Sequence, residues 1–264
     1  MSTVVSDKRS TPTAHNEPVT SRPRETTLVV GLVVVLLGSL IAVGVLINIG
    51  GTHASGDNVP LALADQAAPQ QVTVTQQAPT QKISGNPLRA SEAWIAQTSQ
   101  TSGISQTAIA AYGDATLVMA RQQPSCHLGW STLAGVGTVE SGNGTVGGRQ
   151  LLPNGLSTSP ITGPALNGAG GNAAIGDGNG GWSSALGPMQ FIQSTWDRWG
   201  ADGNGDGYAD INNIFDAALA AGRYLCADGR DLATAQGWTA AIFSYNHSAA
   251  YVQQVYAAAN SAAG

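Results

Sequence analysis

Residues 28–49 read LVVGLVVVLLGSLIAVGVLINI, 22 residues without one charged side chain. As a helix rising about 1.5 Å per residue, the run is roughly 33 Å long, enough to cross a bilayer core of about 30 Å. A buried core helix is rarely apolar on every face over such a length. The run therefore reads as a transmembrane helix. A cleaved signal peptide is the competing reading, with Thr52-His53-Ala54-Ser55 as a cleavage site, but its apolar stretch is usually about 7–15 residues. Lys8, Arg9, Arg22 and Arg24 precede the run, and no Lys or Arg follows it until Lys82. That asymmetry places 1–27 in the cytoplasm as a tail and everything past the helix outside.

This topology divides the chain. Residues 50–88 are rich in Ala, Gln, Thr, Val and Pro without a helical period, and read as a flexible linker. Residues 89–264 are long enough for one core. The expected localisation is a single-pass anchor in the cell membrane, with the folded domain on the extracytoplasmic side. Cys126 and Cys226 both fall in that domain. Thiols oxidise outside the cytoplasm, so a Cys126–Cys226 disulfide is expected, with two buried free thiols as the alternative.

Composition excludes several chemistries. Charged residues are 10% of the chain, against about 25% in ordinary domains. The net charge of −5 disfavours a nucleic-acid partner bound through a basic face. The two cysteines form no C-x-x-C, the four histidines are scattered without H-E-x-x-H, and no serine sits in G-x-S-x-G.

The external domain reads mainly α-helical. Residues 108–121 are rich in helix formers and stop before Pro124. Trp130, Leu133, Gly137 and Glu140 share one helix face. Pro188 is placed to begin a further helix, with Met189, Ile192, Trp196 and Trp199 as its apolar stripe and Gly200 as its stop. Asp216 is a candidate N-cap for 217–226. Trp238, Ile242 and Tyr245 mark another helix, and 249–262 the last. Between 141 and 186 lies a Gly-, Asn- and Ser-rich stretch, read as a long loop that is functional or disordered.

Few residues there can carry chemistry. Only two glutamates, Glu92 and Glu140, follow position 50. Glu92 lies in a polar segment. Glu140 ends an apolar helix face, where lost hydration raises a carboxyl pKa and suits it to general-acid work, unless it simply points to water. Asp202-Gly-Asn204-Gly-Asp206-Gly207-Tyr208-Ala-Asp210 follows the calcium-loop pattern. The ligands would be Asp202, Asn204, Asp206, the Tyr208 carbonyl and Asp210. Asn213 stands where a bidentate glutamate is expected, and Asp216 is the substitute. The alternative is a polar Gly/Asp turn. Tyr245 and Asn246 end an apolar helix with hydrogen-bonding groups, placed either to orient a sugar or to act as a core tyrosine and a helix cap.

Taken in order, these motifs resemble the lytic murein transglycosylases. Cys126-His-Leu-Gly-Trp130 with Leu133-Ala-Gly-Val-Gly-Thr-Val-Glu140-Ser141 resembles their first motif, and Gly187-Pro-Met-Gln190-Phe191-Ile-Gln-Ser-Thr-Trp196 their second. Ala217-Ala-Leu-Ala-Ala-Gly-Arg-Tyr224-Leu-Cys226 and Ala240-Ala-Ile-Phe-Ser-Tyr245-Asn246-His-Ser248 continue the series. The likeness covers about 105–260 and is nearest the B-type, membrane-attached actinobacterial branch, where a calcium-like loop has the same place. It implies a lysozyme-like fold and cleavage of the β-1,4 bond between N-acetylmuramic acid and N-acetylglucosamine in peptidoglycan, leaving a 1,6-anhydro end. Carried over, Glu140 is the catalytic acid, and Ser141, Gln190, Tyr245 and Asn246 line the glycan cleft. No cofactor is required for the chemistry, and calcium would be structural. The run from Ile175 to Trp182 departs from the more acidic run of relatives, and reads as a candidate lid. A hydrolytic muramidase and a non-catalytic peptidoglycan-binding module are the alternatives.

Overall fold

The computed structural model describes residues 68–69, 73–76, 88–169 and 173–264. The apolar run over 28–49, the tail before it and most of 50–88 lie outside the described residues. Among the described residues, no helix is long and apolar enough to cross a membrane.

Seven α-helices build the domain: α1 (Glu92–Ser102), α2 (Gln106–Gln122), α3 (Trp130–Ser141), α4 (Gln193–Trp199), α5 (Ile214–Leu225), α6 (Ala235–Tyr245) and α7 (Ala249–Ala263). Their starts follow from short polar side chains that satisfy the first free N–H groups. Ser91, Ser105, Thr234 and Ser248 accept from Trp94, Ala108, Gly237 and Tyr251 respectively. Helix α3 ends at Gly142 in the left-handed region, with Asn143 N–H bonding the Gly137 carbonyl at 2.8 Å.

Helix α3 is the centre of the core. Trp130, Leu133, Ala134 and Val136 are buried, and the helix packs chiefly on α7 and then on α2. The α3–α7 approach depends on Gly135: a Cβ there would stand 2.7 Å from the Val255 carbonyl and 2.9 Å from Ala259 Cβ. Helix α5 closes the other side against α2. Cys126 and Cys226 form the expected disulfide, which closes a span of 100 residues. Part of the stretch before the domain lies against it: Val74 is buried, and Ser91 N–H donates to the Thr75 carbonyl at 2.7 Å.

Three local expectations are corrected. Pro188 does not start a helix. Residues 187–190 form a tight turn, because Leu186 and Phe191 exchange both backbone hydrogen bonds, at 2.8 and 3.0 Å. Gly187 takes φ +73° there, and a Cβ would fall 1.8 Å from the Ile211 carbonyl oxygen, so no other residue fits. The helix begins at Gln193 instead, so Met189 and Ile192 belong to the core without belonging to α4. Asp216 is not the N-cap of α5. Asn213 holds that position and accepts from Phe215 N–H, which leaves Asp216 in the first turn. The stretch over 141–186 is not one irregular loop. It contains β1 (Thr162–Ala165) and β2 (Ser184–Leu186), paired antiparallel with a register shift between them. Ile161 and Leu166 anchor this ribbon in the core.

Candidate active site

Glu140 sits in the last turn of α3 with 2% of its surface exposed. One carboxyl oxygen, Oε1, accepts a hydrogen bond from the Tyr251 hydroxyl at 2.5 Å. The other, Oε2, is buried and has no hydrogen-bond partner. Burial pushes the Glu140 pKa well above the usual carboxylate range, and the Tyr251 hydroxyl pulls weakly in the opposite direction. Glu140 is thus a carboxyl biased toward its protonated form, with one oxygen held and one unpartnered. No second carboxylate among the described residues contributes to its titration. An unpaired buried polar atom is costly, and native folds tolerate it mainly where function needs it.

Against Glu140 stands the 187–190 turn, and the sequence-predicted residues converge on it. Ser141 Oγ donates to the Pro188 carbonyl at 2.6 Å and accepts from Gly144 N–H at 2.8 Å. Tyr245 Oη donates to the next carbonyl, Met189, at 2.7 Å. Gln190 takes φ +50°, uncommon for a side chain with a Cβ, and its Nε2 donates to the Gly187 carbonyl at 2.8 Å. The Ser141 and Tyr245 hydroxyl protons are therefore spent on fixing the turn. Asn246 is the C-cap of α6 and is 7% exposed. Helix ends, the turn and two hydroxyls hold one wall of the site in place.

Two parts of the site were missed. Tyr251, on α7, stacks nearly parallel to Tyr245 with ring centroids 6.5 Å apart. Burial, and then the nearby Glu140 carboxylate, push both phenols well above their ordinary pKa, so both remain donors. A signal for Tyr251 was present: it is a tyrosine in the apolar stripe of Val252, Val255 and Ala259, and a buried phenol needs an acceptor. The second part is a support beneath α3. Tyr112 Oη donates to Asn143 Oδ1 at 2.8 Å, and Asn143 Nδ2 donates to Thr138 Oγ1 at 3.1 Å.

The calcium-like loop lies apart from this cluster in its contacts. Asp202 Oδ1 accepts from Gly205 and Asp206 N–H, and Oδ2 from Gly207 N–H. Asp206 accepts from Tyr208 N–H and from Asn204 Nδ2. Asp210 accepts from Asn212 N–H. Asp216 takes Gly203 and Asn204 N–H on Oδ1 and Asp210 N–H on Oδ2. Burial pushes Asp216 up to about 6. The all-oxygen donor set suits calcium. Among the described residues, no group of three or more His, Cys, Asp or Glu is gathered to hold a metal ion, a count that leaves aside Asn204 and the Tyr208 carbonyl. Backbone donors satisfy these carboxylates, and Arg89 ties the loop to the domain by donating to Asn204 O at 2.7 Å and to Asp114 at 2.8 Å.

Residues 169–239 match the family model of the transglycosylase SLT domain. The match covers the end of the β-ribbon, the 187–190 turn, α4, α5 and the start of α6, and it supports a lytic transglycosylase family acting on peptidoglycan. Glu140 and Tyr251 flank the matched interval on either side and meet in the folded structure. No curated protein and no solved structure matches the chain.

Proposed function

We propose that this chain is a peptidoglycan lytic transglycosylase that serves cell-wall remodelling. The run over 28–49 anchors it in the membrane, and 89–264 act on the wall side. The observation that carries the reading is the setting of Glu140: buried, its pKa pushed up by that burial, one oxygen held by Tyr251 and the other unpartnered. That is the condition of a general acid awaiting a leaving-group oxygen.

Glu140 gives its proton to the glycosidic oxygen as the bond to the muramic anomeric carbon breaks. The resulting carboxylate then takes the proton of the muramic 6-hydroxyl, whose oxygen bonds to that carbon and closes a 1,6-anhydro ring. The substrate supplies its own nucleophile, so the second carboxylate of ordinary glycosidases is not needed. This agrees with the absence of another acid in the immediate surroundings of Glu140 among the described residues. Ser141, Gln190 and Tyr245 shape the cleft wall through the 187–190 turn, and Asn246 lines it from the end of α6. A cation in the 202–216 loop would be structural only, and no step passes through it. Calorimetric titration with calcium tests that role.

The deciding experiment is mass analysis of products from purified cell wall, with wild type beside Glu140→Gln. Anhydro ends from the wild type and none from the variant support the reading. Products heavier by one water, about 18 Da, identify a hydrolase. A wild type that binds sacculi without releasing fragments identifies a binding module. Wild-type release by Glu140→Gln removes Glu140 from the chemistry.

A further inference from the structure

Trp182 is a large apolar side chain left outside, with 51% of its surface exposed. Its backbone is nonetheless firmly held. Trp182 bridges Gly176, and Ser183 N–H donates to Ile175 O at 2.9 Å while Ser183 O accepts from Leu166 N–H at 2.8 Å. The adjoining turn is closed by Asp177, whose Oδ1 accepts from Asn179 and Gly181 N–H at 2.8 and 2.9 Å. The candidate lid is therefore a pinned ribbon end that presents an indole to solvent.

The ribbon leads into the site. From Trp182 the chain continues through β2 to the 187–190 turn, whose Pro188 carbonyl receives Ser141 beside Glu140. Four residues of extended chain separate Trp182 from Leu186, about 13 Å. The indole is thus offset along the ribbon from the 187–190 turn. Charge narrows the occupant. Between 173 and 186 the only charged side chain is Asp177, so the ribbon end has no cation to attract a phosphate polymer. A neutral sugar ring, apolar on its C–H face and polar at its edge, matches an exposed indole on a ribbon end that also carries Asp177, Asn179 and Ser183.

We propose that Trp182 is a stacking platform for a sugar of the glycan strand distant from the cleaved bond, and that it sets a preference for long strands. The proposal rests on the peptidoglycan reading above. The test compares the full-length wild type with Trp182→Ala and Trp182→Phe on long glycan strands and on the shortest fragment the wild type cleaves. Trp182→Ala is expected to lose about tenfold in kcat/KM on long strands, as one aromatic contact implies, and nothing on the short fragment. Trp182→Phe should recover most of the loss. An unchanged melting temperature shows that the fold is intact. Equal rates for wild type and Trp182→Ala on both substrates, or equal losses on both, overturn the proposal while leaving the peptidoglycan reading in place. A wild type that neither cleaves nor binds strands removes both.

Discussion

Tyr251→Phe is the sharpest probe of the site, because it removes one oxygen and leaves the ring. The phenyl group still stacks on Tyr245, so the ring contact between α6 and α7 persists. What disappears is the 2.5 Å hydrogen bond to Glu140 Oε1. Oε2 is already without a partner, so the variant has a buried carboxyl with neither oxygen bonded. Hydrogen bonds to charged groups contribute about 1.5–3 kcal/mol, and this one strengthens as Glu140 ionises in the first step. At about 1.36 kcal/mol per decade, kcat should fall roughly 10- to 100-fold. KM should hold, because Tyr251 is a positioning residue acting through Glu140. The pH profile carries the distinguishing information. The Tyr251 hydrogen bond lowers the Glu140 pKa, so its loss raises that pKa further. A general acid works while protonated, so the alkaline limb of kcat should move to higher pH even as the maximum falls. Steady-state turnover of glycan strands across a pH series measures both quantities. An unchanged kcat with an unmoved alkaline limb refutes the reasoning, and a reduced kcat without the limb shift reduces Tyr251 to a packing residue.

Three other outcomes follow from the same geometry. Glu140→Gln should melt above the wild type at pH 7, with the gap closing as pH falls toward 4.5. Burial raises the folded-state pKa above that value, so the wild type loses stability as pH rises from 4.5 through the folded value, and Gln removes the slope; thermal unfolding in a buffer series checks it. Asp216 titrates at about 6 in the fold against 3.8 unfolded, so it too costs stability as pH rises from about 4 through 6. Asp216→Asn should flatten that slope in urea unfolding, while its amide meets the Asp210 N–H donor to donor at a cost of about 1–3 kcal/mol. Replacing Cys126 and Cys226 by alanine should destabilise the domain by about 2–5 kcal/mol in the same assay, since the bond closes a span of 100 residues.

What was legible in the sequence was whatever local spacing determines. The Trp130–Glu140 face could be read because helical periodicity alone brings Glu140 into the apolar surroundings that α3 provides. The disulfide could be read from compartment and count. The site as a whole could not, because its remaining members are placed by long-range pairs. The sequence around Pro188 is a good helix start, yet the exchange of hydrogen bonds between Leu186 and Phe191 makes it a turn. The ribbon over 162–186 is poor in strand formers, and it forms by pairing residues far apart in the chain, Thr162 with Leu186 and Ala165 with Ser184. Asn213 outcompeted Asp216 as a cap because Asp216 is drawn to the N–H groups of the preceding loop. Tyr251 escaped notice because its partner lies 111 residues earlier.

That separation has a consequence for when the site comes into being. Synthesis from the N-terminus delivers α3 long before α7. The disulfide can close as soon as residue 226 has emerged, and it encloses Glu140, the β-ribbon and the 187–190 turn. Tyr245 and Tyr251 lie beyond that closed span. Until α7 docks along Gly135, the carboxyl of Glu140 has no tyrosine to orient it. On the proposed wall-side topology, order of synthesis becomes order of assembly: Glu140 is the first part of the site to be delivered and the last to gain the partner that orients it.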